Sequence, residues 1–216
     1  MQFASSWSRS CRRWVAHVNS MQAGIDEAGR GALAGPLLVA CVGGLPVDAS
    51  WVQDLRDSKK LSAAKRECLF EDITRDCQWV ETEEIDARQI DRVNIFNATL
   101  GGMGALLNRL RATHDVARVV VDGNHLPESA SGDARVVAMP KADDIVREVM
   151  AASIVAKVTR DRIMAAHPDT RFSFAQHKGY GTGLHRMEIQ DHGRTAFHRQ
   201  SFKFQGEKLP FRITKK

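Results

Sequence analysis

Four carboxylates drawn from three separate segments are the residues of this chain best placed to do chemistry: Asp26 with Glu27, Asp122, and Asp143. Asp26 and Glu27 lie where an apolar run meets a glycine-rich turn. Asp122 closes the apolar run Arg118-Val-Val-Val-Asp, and active groups of open α/β sheets gather at such strand ends. Asp143 is expected to begin a helix, where free N–H groups and the helix dipole favour an anion. Oxygen-only donors suit hard divalent cations. Magnesium takes a few carboxylates and completes its shell with water and phosphate oxygens, so the set points to Mg²⁺ or Mn²⁺ and away from Zn²⁺. Any one of these acids alone reads as a capping or turn residue; it is the set that indicates a site. Neighbouring strand residues point to opposite faces, so Asp26 and Glu27 share a site only if the chain bends, which the Ala28-Gly29 step permits.

The Gly29-x-Gly31-x-x-x-Gly35 spacing invites a dinucleotide reading. That fingerprint requires a helix after the glycines, whereas Pro36 and Leu37-Leu-Val-Ala-Cys-Val predict a strand. Glycines around Arg30 can instead offer backbone N–H groups and a guanidinium to a phosphate or ribose. Tyr180, the only tyrosine, lies between two glycines in a basic stretch, and its ring reads as an exposed surface on which a sugar or base can stack. His167, His177, His185, His192 and His198 have no helical metal-pair spacing. His185 or His192 could assist proton transfer; the plain alternative is a surface or core histidine.

These groups need a scaffold, and the pattern predicts one. Strands are expected over Gln22–Ala28, from Leu37, over Gln78–Thr82, Arg118–Asp122 and Arg135–Met139. Helices are expected after Ser62, from Asp86 to Arg111, and from Asp143 to Ala166. The order describes an α/β mixed sheet with helices on its faces. At 216 residues and 43% hydrophobic content, one catalytic domain over 21–216 is expected, preceded by a basic, disordered extension over 1–20. No apolar run approaches the ~18 residues of a membrane span. Cys11, Cys41, Cys68 and Cys77 form no C-x-x-C pair, which fits a reducing cytoplasm. Lys157 to Lys216 carries 13 Lys/Arg against 5 Asp/Glu, while residues 21–156 are net acidic. An acidic body beside a basic third suits a protein that gathers cations in one place and a polyanion next to it.

With these residues assembled, the sequence resembles the ribonuclease HII family, the type 2 branch of ribonuclease H. The resemblance rests on Gly24-Ile-Asp-Glu-Ala-Gly-Arg-Gly, Asp57-Ser-Lys-Lys-Leu-Ser, Asn94-Ile-Phe-Asn-Ala-Thr, Val121-Asp-Gly-Asn, Lys141-Ala-Asp, Ala151-Ala-Ser-Ile-Val-Ala-Lys-Val-Thr-Arg-Asp, His177-Lys-Gly-Tyr-Gly-Thr and His198-Arg-x-Ser-Phe, in that order. It implies a ribonuclease H-like fold with a central five-stranded mixed sheet. It implies that Asp26, Glu27, Asp122 and Asp143 are catalytic metal ligands, Asp143 rather than Asp144 because it follows Lys141-Ala142. Gly29, Arg30 and Gly31 are then expected to read the ribose 2′-OH, Tyr180 to stack on the next deoxyribose, and Lys59 to lie near the substrate backbone. Gly183 and Lys203-Phe204 depart from the family pattern, which bears on substrate affinity more than on chemistry.

The expected reaction is endonucleolytic hydrolysis of RNA in RNA–DNA hybrids, or at ribonucleotides within duplex DNA. Two divalent ions would assist attack by water, leaving 3′-hydroxyl and 5′-phosphate ends. The 2′-OH is then a recognition handle and not the nucleophile. A monomer is expected. The competing readings are a catalytically silent nucleic-acid binder and a dinucleotide-dependent oxidoreductase.

Overall fold

A computed structural model describes residues 21–46 and 48–207; the expected extension over 1–20 lies outside the described residues. Strand β1 (Met21–Ala28) runs antiparallel to β2 (Leu37–Gly43), and β2 runs antiparallel to β3 (Trp79–Ile85). Strand β4 (Val116–Asp122) lies parallel to β1 on its other side, with β5 (Val136–Met139) parallel beyond it. The five-stranded mixed sheet has the order β3-β2-β1-β4-β5. All seven residues of β2 are buried, as expected for an inner strand covered on both faces.

Helix α1 (Ala63–Asp76) is capped by Ser62, whose side chain accepts from Lys65 N. The single helix expected over 86–111 is two helices. Helix α2 (Ala87–Val93) opens with a capping box between Asp86 and Gln89, and α3 (Ile95–Thr113) begins after Asn94. Asn94 has φ 67° and ψ 164°, and its side chain accepts from Asn97 N. The Asn94 cap on α3 offsets an unfavourable backbone state, which hydrophobic periodicity cannot register.

The helix expected from Asp143 also starts later. Lys141 takes a left-handed conformation, Ala142–Asp144 forms a 3-10 turn, and α4 covers Arg147–Ala166. Two short helices follow, α5 (Phe174–His177) and α6 (Gly183–His192).

Alternation divides the core into two layers. Ile25, Val39, Cys41 and Val121 meet Leu106 and Leu107 of α3 on one face, while Ala40 and Val42 meet Ile154, Val155 and α1 on the other. Ile25 is fully buried, and truncating such a residue to alanine costs ~2–5 kcal/mol. Helix α4 crosses β1 so closely that a Cβ on Gly24 would stand 2.3 Å from Val149 N. This approach brings α4 over Asp26, two residues further along β1. Among the described residues no helix is long and apolar enough to cross a membrane.

Candidate active site

The register of the central strands gathers the acids. Ile25 pairs with Val121, so Asp26 and Asp122 follow side by side at the ends of two parallel strands. Asp26 is buried and accepts from Glu27 N at 2.7 Å, with Ser153 of α4 close enough to favour its charged form. Ser153 Oγ in turn lies 2.9 Å from Ser58 Oγ, which ties the Asp57-Ser-Lys-Lys segment to the site.

No bend separates Asp26 from Glu27. Both belong to the regular ladder, paired with Ala40 and Val39. Alternation therefore sends Asp26 toward α4 and Glu27 to the opposite face, and the chain turns only afterwards, at Gly29 with φ +90°. Their carboxyls still feel each other and Asp122, because all three sit at one end of the sheet. Glu27 also pairs with Arg30 at 3.5 Å.

Asp122 accepts from Ala142 N at 2.7 Å. The 3-10 turn is therefore wrapped around the end of β4, and it buries Asp143 beside Asp122. Asp143 therefore sits in this turn and not in the first turn of a long helix. Asp144 is exposed and pairs with Lys60. Asp143 is thus the acid turned into the cluster, with Lys59 Nζ 3.4 Å from its Oδ2.

Burial, then repulsion by Glu27, raises Asp26 well above the usual carboxylate range. Burial also raises Glu27, against the pull of Arg30 and with Asp122 adding to the rise. Asp122 is raised by burial and by Asp143, against its hydrogen bonds. Three neighbouring acids raised first by burial and second by one another are carboxylates whose charge a bound cation would relieve. Among the described residues no three His, Cys, Asp or Glu side chains are grouped closely enough to hold one ion as they stand. Each acid is instead engaged by an N–H, a hydroxyl, Arg30 or Lys59. Both cationic side chains are more than half exposed and can withdraw at small cost. An all-oxygen donor set with unrelieved charge fits hard divalent cations.

Two loops border the acids. Gly29 packs against Arg160, and a Cβ there would lie 2.0 Å from the guanidinium. Gly31 has nothing within 4 Å of an added Cβ. The Gly29–Pro36 segment leads into β2 and opens no helix, which removes the dinucleotide fingerprint. The segment around Tyr180 lies against it, with Leu33 N and Ala34 N donating to Gly179 O at 2.8 and 3.2 Å. Tyr180 is 36% exposed, and Arg160 lies 5.3 Å from its ring centroid.

Two residues that sequence reasoning left without a role hold these loops. The guanidinium of Arg160 donates to the carbonyls of Ala34, Pro36 and Lys178, and that of Arg199 to Gly35 and Arg30. Both are buried, and burial lowers both, Arg199 to about 9. The only signal was their presence in two motif segments with no assigned chemistry. His185, considered for proton transfer, is fully buried, and His192 is exposed on α6. Irregular spacing hid the fact that His177, His185 and His198 converge in space. Cys41, Cys68 and Cys77 are free thiols.

Comparison with known proteins agrees with this picture. The family model described as Ribonuclease HII matches residues 23–205. A Ribonuclease HII of Coxiella burnetii is 43% identical over 188 residues, which is 85% of this chain and 89% of that protein. Among solved structures, the PCNA:RNase HII complex from Archaeoglobus fulgidus aligns with a TM-score of 0.69 and 31% identity, covering 88% of this chain and 98% of that one. Bst-RNase HIII in complex with Mn²⁺ aligns with a TM-score of 0.56 at 18% identity, covering 85% and 67%, a likeness of fold.

Proposed function

The chain belongs to the ribonuclease HII family, and from that premise we propose that it cuts the RNA strand of RNA–DNA hybrids and also the backbone at single ribonucleotides within duplex DNA. It has the ribonuclease H-like fold and is a hydrolase, an endoribonuclease. The observation that carries the finer reading is that Ile25 pairs with Val121, which sets Asp26 and Asp122 side by side at the sheet end, with Asp143 near them and the Gly29–Gly31 and Tyr180 loops alongside.

Asp26, Asp122 and Asp143 would hold Mg²⁺ or Mn²⁺, with the Glu27 carboxyl joining them around the end of β1, where it already feels Asp122, and the ions would supply activation of water and stabilisation of the leaving 3′-oxygen. The products are 3′-hydroxyl and 5′-phosphate ends. Recognition is assigned to other groups. The open space at Gly31 admits a sugar close to the backbone, where N–H groups can meet a 2′-OH, the group that distinguishes RNA from DNA at one position. Arg30, released from Glu27, can turn its guanidinium to a phosphate. The exposed part of the Tyr180 ring offers a stacking face to the neighbouring deoxyribose, and Lys59 meets the backbone.

The test offers a DNA duplex with one embedded ribonucleotide, beside an RNA–DNA hybrid and an all-DNA control, in Mg²⁺, Mn²⁺ or EDTA. Cleavage at the ribonucleotide, with metal only, is the expected result. Tight binding of hybrids without cleavage in either metal would favour a silent binder and overturn the proposal.

A further inference from the structure

Three histidines that the reaction does not use form a single buried network. His185 on α6 is fully buried, His198 almost fully, and His177 nearly so. Their rings are sealed by Phe172 and Phe174, and the rings of His177 and His185 stack at 4.1 Å. Burial pushes His185 down to about 4 and His198 to about 3, so both are neutral near pH 7. A neutral imidazole has one donor and one acceptor, and the partners here fix which is which.

Gly179 N can only donate, so His177 Nδ1 accepts from it at 3.0 Å, and His177 Nε2 donates to Glu188 Oε2 at 2.9 Å. Thr195 N can only donate, so His198 Nδ1 accepts at 3.0 Å and His198 Nε2 carries the proton toward His185 Nε2, 3.1 Å away. His185 Nε2 therefore accepts, and His185 Nδ1 donates to the carbonyl oxygen of Tyr180 at 3.0 Å. Every ring nitrogen has a partner, His198 Nδ1 also lying 3.0 Å from Thr195 Oγ1, and the direction is consistent throughout. None is left for proton transfer.

The network ends on the backbone of one residue. Tyr180 O also accepts from Thr182 N, and Tyr180 N donates to His177 O. The residue before it, Gly179, carries the bonds to Leu33 and Ala34 described above, and Ala34 forms a bridge with His198. The histidines thus fix the peptide that carries the tyrosine ring and set its spacing from the glycine loop. We propose that His185, oriented by His198, is a positioning residue that holds Tyr180 in its substrate-facing place through the Tyr180 carbonyl. This rests on the assignment of Tyr180 to substrate stacking.

Tyr180 is the only tyrosine, so 3-fluorotyrosine incorporation gives one ¹⁹F resonance that reports on its ring without reference to activity. His185→Leu removes the bond and retains bulk; His185→Asn keeps an amide donor near the position of Nδ1. The expected result is a shifted or broadened resonance in His185→Leu, substantially restored in His185→Asn. KM for the ribonucleotide-containing duplex should rise about ten-fold in His185→Leu with a smaller change in kcat, as for a misplaced binding group. In a Tyr180→Ala background, His185→Leu should have no further effect on KM. Should His185→Leu fail to fold, His198→Asn, which breaks the relay one step back, takes its place in the same cycle. An unmoved resonance, or an equal KM penalty with and without the tyrosine ring, would overturn the positioning role. A Tyr180→Ala variant with unaltered KM would instead remove the stacking assignment, while the ¹⁹F result would still decide whether His185 holds the ring.

Discussion

Lys59 Nζ stands 3.4 Å from Asp143 Oδ2, placing an ammonium over one of the four clustered acids. Burial opposes the charge on Lys59, but Asp57, Asp143 and Asp26 outweigh it and hold the group above its ordinary range. The side chain is 76% exposed, so it can leave Asp143 for a phosphate when substrate and metal arrive. Lys59→Ala should therefore raise KM several-fold and reduce the slope of log affinity against log salt by about 1. The half-saturating Mn²⁺ concentration should fall, because a competing positive charge is gone. Cleavage titrations in salt and in Mn²⁺ check both, and an unchanged salt slope would remove Lys59 from the substrate path.

Asp122 is the acid whose neutralisation separates chemistry from folding most cleanly. Its carboxyl is raised by burial and by Asp143, so its charge is a cost to the metal-free fold. An asparagine at this position retains an oxygen for Ala142 N and removes that charge. Asp122→Asn should abolish cleavage while the melting temperature in EDTA stays equal or rises. Calorimetry and single-turnover assays read the two effects separately. Near-normal turnover in the variant would falsify the metal-ligand assignment.

The buried histidines give a pH dependence of known sign. An unfolded chain binds a proton to histidine near pH 6.5, whereas folded His198 resists protonation down to about 3 and His185 to about 4, chiefly through burial. Below pH ~6.5 the unfolded state therefore takes up protons that the folded state refuses, and stability falls as pH falls. Removing one such group should flatten the acid limb. For His198→Gln the slope of unfolding free energy between roughly pH 5.5 and 4 should be smaller by about 1.4 kcal/mol per pH unit. Urea denaturation across that range measures it, and parallel limbs in the two proteins would contradict a neutral buried His198.

How far the sequence could be read depended on the range of the forces involved. Asp26 and Asp122 were legible because strand period and strand ends are local properties, and two parallel strands need only align for those ends to meet. The break at Asn94 was not legible, since the run Ile90, Val93, Phe96, Leu100 keeps helical spacing across a residue whose positive φ interrupts the helix and whose side chain caps the next one. Asp143 lies near Asp122 as expected but in a different element, because the 3-10 turn is held by Asp122 accepting from Ala142 N, a contact across 20 residues. Arg160 and Arg199 read as ordinary basic residues of the C-terminal third. Nothing local says that their guanidinium groups are buried under a loop more than a hundred residues away.

Gly29 and Gly31 share one motif, yet they should respond differently to the same methyl group. Gly29 has φ +90°, and a Cβ there would strike the Arg160 guanidinium at 2.0 Å. Gly29→Ala must either strain the backbone or displace the residue that holds Ala34, Pro36 and Lys178, and it should destabilise the fold by about 1–3 kcal/mol. Gly31 meets no atom within 4 Å, so Gly31→Ala should melt within ~0.5 kcal/mol of the parent. That open space is where the ribose is proposed to sit. Gly31→Ala should therefore lose affinity for ribonucleotide-containing duplex while folding normally, and Gly29→Ala should lose stability first. Thermal melts paired with KM measurements separate the two. Parent-like KM in Gly31→Ala would place the ribose elsewhere along the loop.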